Sequence, residues 1–175
     1  MTTPEFSRPE RLDTIGDRDR TVEITANEAE RVKLAARFGI VSVESLSAAF
    51  AIRREAAGIV ANGRVVASVV QACSVTDDPL PVQIDEPVAL RFVDALGSGD
   101  GEIELTDDAM DTVEIEGGAI DLGEAAAETL ALALDPYPRG PNAAAVLKAA
   151  GVIGEDEFRP ANAFSDLQAR LAGKD

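Results

Sequence analysis

Three groups of residues in this chain have types and spacings that could do chemistry: one cysteine, a long run of carboxylates, and a tyrosine and an arginine threaded among prolines. Cys73 is the sole cysteine and there is no histidine. An internal disulfide, a zinc finger or ribbon, imidazole acid–base catalysis and a Ser-His-Asp triad are therefore excluded from this chain. Cys73 ends an apolar run with no basic neighbour in sequence to favour a thiolate, so it reads as a buried structural cysteine. Between Arg91 and Arg139 there is no lysine or arginine, and acids fill the interval. Asp100, Glu102, Glu104, Asp107, Asp108 and Asp111 are its densest part. The segment GSGDG has neither a lysine nor a helix behind it, which argues against a phosphate loop. DGEIELTDDAMD departs from the spacing of a calcium hand. What remains is a solvated mobile loop or an anionic surface for a cationic partner. On the second reading these six acids are candidate partner-binding residues, with Tyr137 and Arg139 beside them. Carboxylate pairs can be picked out almost anywhere in so acidic a chain, so no catalytic residue is assigned, and no metal or cofactor site.

The element that must position Tyr137 and Arg139 is the stretch IDLGEAAAETLALALDPYPR, Ile120 to Arg139. Asp121 is placed to cap a helix, and Glu124, three residues on, to reach back and close a capping box. Leu122, Ala126, Thr129, Leu130, Ala133 and Leu134 fall on one stripe at helical spacing, which predicts one buried face. Asp135-Pro136 stops the helix, because the residue before a proline is pushed out of the helical region. Pro136 and Pro138 then hold the chain extended around Tyr137 and Arg139.

Upstream, Val22 and Ile24 predict a brief strand, and Thr25 with Glu28 a helix start running to Gly39. Residues 46–52, 58–73 and 82–92 alternate with period two and predict three longer strands. Asn62-Gly63 is a hairpin dipeptide, but a turn there would leave too little strand to pair back. A turn near Glu55 to Gly58 pairs two full strands and leaves Gly63 as a bulge or bend. Pro87 marks an edge or bulge in the third strand. Val113 and Ile115 predict a short strand, Asn142 to Ala150 a short helix, and Phe164, Leu167 and Leu171 a last one. Strands in the middle with helices around them predict an α+β fold: a curved, mostly antiparallel sheet, a partial barrel, flanked by α-helices.

At 175 residues the chain suits one domain, with residues 1–20 loosely held and 95–111 an acidic mobile loop. Aromatics are 4% of it, so the core falls to Val, Leu, Ile and Ala. The net charge of −16 opposes any nonspecific grip on a phosphate backbone and suits a basic partner or plain solubility. No apolar run is long enough to span a bilayer and the N-terminus has no signal-peptide core, so a cytoplasmic location and no membrane partner are expected. Oligomeric state leaves no mark in the sequence.

Three stretches in order resemble the YceD family, the large ribosomal RNA subunit accumulation proteins. They are GRVVASVVQACSVTDDPLPVQIDEPVALRF (Gly63 to Phe92), IDLGEAAAETLALALDPYPR, and NAFSDLQARLAG (Asn162 to Gly173). PEFSRP and NEAERVKLAARF resemble the proteobacterial branch. On the resemblance Cys73, Asp121, Gly123, Glu124, Leu130, Leu134, Pro136 and Pro138 are structural signature positions, and Arg139 ends the signature. Many relatives carry a second cysteine three residues after the first, and some carry more near the C-terminus that could hold zinc. Here those places read Thr76 and Arg139-Gly140-Pro141-Asn142. The resemblance implies a non-enzymatic role in large-subunit biogenesis, supporting 23S rRNA accumulation. The expected partner is a basic ribosomal protein or assembly factor of the large subunit, with 23S rRNA reached indirectly. The alternatives are direct, structure-specific rRNA binding and, ranked last, a small carboxylate-based enzyme.

Overall fold

The computed structural model describes residues 4–94, 111–115 and 117–153. Most of the acidic loop and the expected C-terminal helix around Phe164 to Leu171 lie outside them. Three long strands, β3 (Ser42–Glu55), β4 (Gly58–Ala72) and β5 (Pro79–Asp94), carry the fold. With β2 (Arg20–Thr25) and β6 (Asp111–Ile115) they make a five-stranded sheet in the order β2-β3-β4-β5-β6. Every pairing is antiparallel except β5 with β6, which is parallel. The fold is α+β, as the alternation predicts, and the sheet is open rather than closed into a barrel.

The period-two rows point where expected. Leu46, Ala48, Phe50 and Ile52 of β3, Ile59, Ala61, Val65, Ala67 and Val69 of β4, and Ile84, Val88, Leu90 and Phe92 of β5 are buried together. The β3–β4 turn falls at Ala56 and Ala57, with Glu55 opposite Gly58. Gly63 is neither bulge nor register shift: it pairs in ladder with Phe50 and Val88, and the shift lies between Val43 and Ser45. Glycine stands there because a Cβ would strike the Ala49 carbonyl oxygen and the Phe50 ring. Pro87 stays in the ladder opposite Arg64, and β6 reaches only as far as Leu90, so its missing N–H faces an open edge.

Two helices cover the core face. The first, α1 (Glu28–Phe38), packs on β3. Its capping box lies two residues later than Thr25 and Glu28 predict. Asn27 Oδ1 accepts from the Glu30 N–H at 3.0 Å and Glu30 Oε2 from the Asn27 N–H at 2.8 Å. Thr25 is consumed by β2, and asparagine is the better cap. Gly39 ends α1 in the left-handed conformation, φ 64°, where glycine pays no Cβ penalty. The second helix, α2 (Leu122–Ala133), buries Leu122, Ala126 and Leu130 against β3, β4 and β5, with Leu134 half-buried just beyond its end. A third, α3 (Ala143–Ala149), follows.

Residues 4–15 are held, contrary to the expectation of a loose N-terminal segment. Phe6 is fully buried, and β1 (Pro9–Arg11) pairs antiparallel with β7 (Ala119–Asp121). Asp121 caps α2 as predicted, accepting from the Gly123 N–H at 2.9 Å and the Glu124 N–H at 3.2 Å. The same carboxylate accepts from the Arg8 N–H at 2.7 Å and from the Ser7 hydroxyl at 2.5 Å. Glu124 does not close a box: its carboxylate takes two bonds from Arg37, at 2.7 and 3.0 Å. Gly123 explains the close approach, since a Cβ there would lie 2.5 Å from the Phe6 carbonyl oxygen. Two outcomes follow. Leu130→Ala should cost about 2–5 kcal/mol in urea unfolding. Gly123→Ala should cost roughly 1–3 kcal/mol by overpacking and expose the Arg11–Leu12 bond to trypsin; unchanged protection would show that the arm is not clamped there.

Candidate functional site

The exit from α2 is a strap laid over the end of β4. Leu134 leaves helical geometry at ψ 136°, and Asp135 Oδ1 then accepts from the Tyr137 N–H at 2.8 Å. Three bonds tie the strap down. Gln71 is the one buried polar side chain among the described residues, and its Nε2 donates to the Asp135 carbonyl at 2.9 Å. The Ser74 N–H donates to the Pro138 carbonyl at 2.8 Å, and the Gly140 N–H to Cys73 Sγ at 3.3 Å. Pro136 and Pro138 thus carry a backbone fixed from both sides. The side chains they present face solvent: Tyr137 is 74% exposed and Arg139 is exposed. Among the described residues Arg139 meets no carboxylate within ion-pair distance. Beside the strap lies an open groove of about 420 Å³, lined by Phe38, Ile40, Ala72, Leu134, Pro136 and Pro138 among others.

Cys73 is fully buried beneath this strap, as its place in the apolar row predicts. Its surroundings are not apolar, however. A tight turn follows it, with the Asp77 N–H on the Cys73 carbonyl at 2.9 Å and the Cys73 N–H on the Asp78 carbonyl at 2.8 Å. The Gly140 N–H, then the Thr76 side chain and the Val75 N–H, hold the Cys73 thiol down to about 7, outweighing the opposing effect of burial. This differs from the sequence reading, which looked for a basic neighbour and found none. The donors are backbone groups and a hydroxyl brought in by folding, 67 residues away in the case of Gly140. Thr76, and Gly140 within the stretch Arg139 to Asn142, fall among the places where the resemblance puts further cysteines, and the fold brings these two to Cys73. Here they supply hydrogen bonds and no ligand atoms, and among the described residues no three metal-binding side chains come together.

Of the six acids singled out as partner-binding, Asp100, Glu102, Glu104, Asp107 and Asp108 lie outside the described residues. Asp111 is exposed at the start of β6, opposite Leu90. Sequence reasoning passed over three residues that matter here: Gln71, and the acids Glu114 of β6 and Glu128 of α2. Burial and the charge of Glu124 push the Glu128 carboxyl up. The spacing of Glu124 and Glu128, one helical turn apart, was the available signal.

The thiol gives a direct check. With one cysteine in the chain, the ultraviolet absorbance of the thiolate should titrate with a midpoint of about 7 rather than the ordinary 9.0. Because the folded pKa is the lower one, the unfolded chain binds more protons between those values. This group's contribution to stability should therefore grow from about pH 7 to about pH 9 and be lost as pH falls through 7. Cys73→Ser should flatten that part of the stability profile; a midpoint near 9.0 in the native protein would show that the N–H donors do not hold the sulfur.

No helix among the described residues is long and apolar enough to cross a membrane. No curated protein and no solved structure matches the chain. A family model does: that of the large ribosomal RNA subunit accumulation protein YceD, over residues 61–169. The match begins within β4 and takes in Cys73, the turn behind it, α2 and the whole strap. It covers more than half of the chain, including Gly63 to Phe92 and Ile120 to Arg139 but not PEFSRP or NEAERVKLAARF, and the chain belongs to the YceD family.

Proposed function

We propose that this protein is a non-enzymatic factor that supports 23S rRNA accumulation and large-subunit assembly in the cytoplasm. It does so by binding a basic ribosomal protein or assembly factor through its acidic side. The observation that carries the reading is the family match over residues 61–169, whose name ties the family to accumulation of large ribosomal subunit RNA. The choice of a basic protein rests on the net charge of −16, which repels a polyphosphate and steers a cationic protein toward the surface. An enzymatic role finds no support in the geometry. Among the described residues no basic side chain is found to lower the pKa of the buried thiol, and no acids gather around a nucleophile.

One observation favours a second reading, direct contact with rRNA. Tyr137 and Arg139 are presented side by side on a stiff strap, an aromatic face to stack a base and a guanidinium to meet a phosphate. Deleting the gene should lower the ratio of 23S to 16S rRNA and the share of large subunits; an unchanged ratio and an unchanged subunit profile would remove the ribosomal reading. Capture of a basic protein that salt elutes supports the first mode, and a gel shift with 23S fragments the second. Arg139→Ala should move the folding free energy by no more than about 0.5 kcal/mol, as an exposed residue with no ion pair among the described residues does. If it nonetheless fails to restore 23S levels in the deletion strain, Arg139 belongs to the binding surface. A large loss of stability with full rescue would make it structural.

A further inference from the structure

A second groove, about 490 Å³, opens between β6, the start of α2 and Pro4. Its floor is apolar: Phe92, Val113, Ile115, Ile120 and Ala125. Its rim is acidic: Glu114 from β6, and Asp121, Glu124 and Glu128 from α2. These acids are not equivalent. Asp121 is spent on the N-terminal arm and the α2 cap, and Glu124 on Arg37. Glu114 and Glu128 make no ion pair with any described residue. Glu128 also sits one helical turn from Glu124, a like-charge spacing that the Arg37 on Glu124 relieves in part. Its carboxyl is pushed up by burial and then by the Glu124 charge, with Arg37 opposing both.

We propose that this groove seats a lysine- or arginine-bearing segment of a partner protein, the long side-chain stem on the floor and its cationic head between Glu114 and Glu128. Resting on the reading of the partner as a basic protein, it names where that partner docks. The argument is the match of chemistry to layout. Lysine and arginine are the side chains with an apolar stem and a charged tip, and the groove has an apolar floor and a charged lip. A wholly apolar segment would bury the two carboxylates unpaired, at a desolvation cost. An RNA strand would set its phosphates against them. The cavity is within the range that holds a few side chains.

The test uses the full chain, with nona-arginine as probe at near-physiological salt, and two charge-matched double variants. Glu114→Gln with Glu128→Gln removes the two acids of the groove that have no ion pair among the described residues. Glu23→Gln with Glu44→Gln removes two exposed acids of β2 and β3 outside it. Both should fold and melt as the parent does. The first pair should weaken binding by about tenfold or more and the second by less than about twofold, with methyl resonances of Val113, Ile115 and Ile120 shifting on titration. Equal weakening in the two variants, or methyls that do not move, would show diffuse attraction to an acidic surface and overturn the groove. The deletion experiment separates the two claims. A groove that binds as expected alongside an unchanged 23S level keeps the groove and removes the ribosomal reading. A lowered 23S level fully restored by the Glu114→Gln, Glu128→Gln chain keeps the ribosomal reading and removes the groove.

Discussion

The fold closes on the carboxylate of Asp121. It accepts four hydrogen bonds: two from the first turn of α2, and two from Ser7 and Arg8, more than 110 residues earlier in the chain. An ionised acceptor taking backbone N–H and hydroxyl donors makes stronger bonds than a neutral one, and the helix N-terminus adds its own positive end. That single group thus fixes where α2 begins and where the N-terminal arm ends. Arg8 continues the tie, gripping Glu30 with two bonds at 2.8 and 2.9 Å and the Thr25 carbonyl at 3.0 Å. Arg37 joins α1 to both the arm and α2 through Glu5 and Glu124. The arm, α1 and α2 are stitched by arginines at their polar edges, while the sheet beneath them is held by burial of Val, Leu, Ile and Ala.

This arrangement explains what could be read in advance. The strands were legible because one face of each is buried, so the alternation of Leu46 to Ile52 and of Ile59 to Val69 states both the element and its facing. The stop at Asp135-Pro136 was legible because proline's effect is local. The cap at Asp121 was legible for the same reason, and the missing half of its box was not, because Arg37 competes for Glu124 from another helix. The arm was misjudged on the same ground. Seen alone, residues 4–15 offer Phe6, Leu12 and Ile15 and little else; their hold comes from Asp121 and from the absence of a side chain at Gly123.

The strap shows the limit from the other side. Its prolines were legible as stiffness, and the family resemblance marked Cys73 and the stretch after Pro138 as related positions. That they touch is a fact of the fold. A thiol that loses its usual pKa to backbone and hydroxyl donors needs no charged neighbour, so a search of nearby residues for lysine or arginine does not find the cause. The consequence is mechanical as well as electrostatic. The contact from Gly140 to Cys73 and the bond from Ser74 to Pro138 bracket Tyr137 and Arg139, so their presentation depends on a buried group that is itself invisible from outside.

Charge in this chain is therefore divided by use rather than spread. Glu30 is held below its usual range by Arg8, and Asp85 by Arg64, each taken up in internal pairing. A cationic partner approaching Glu30 would have to displace a bidentate arginine before gaining anything. At Glu114 and Glu128 it meets carboxylates that no described cation holds in an ion pair, Arg37 acting on Glu128 only at longer range, so association there breaks no pair among the described residues. Net charge brings a basic partner to the surface from any direction, but only unspent charge over an apolar floor returns free energy on contact. On the proposed reading it is that difference, rather than the total of −16, that would give this acidic protein a docking side.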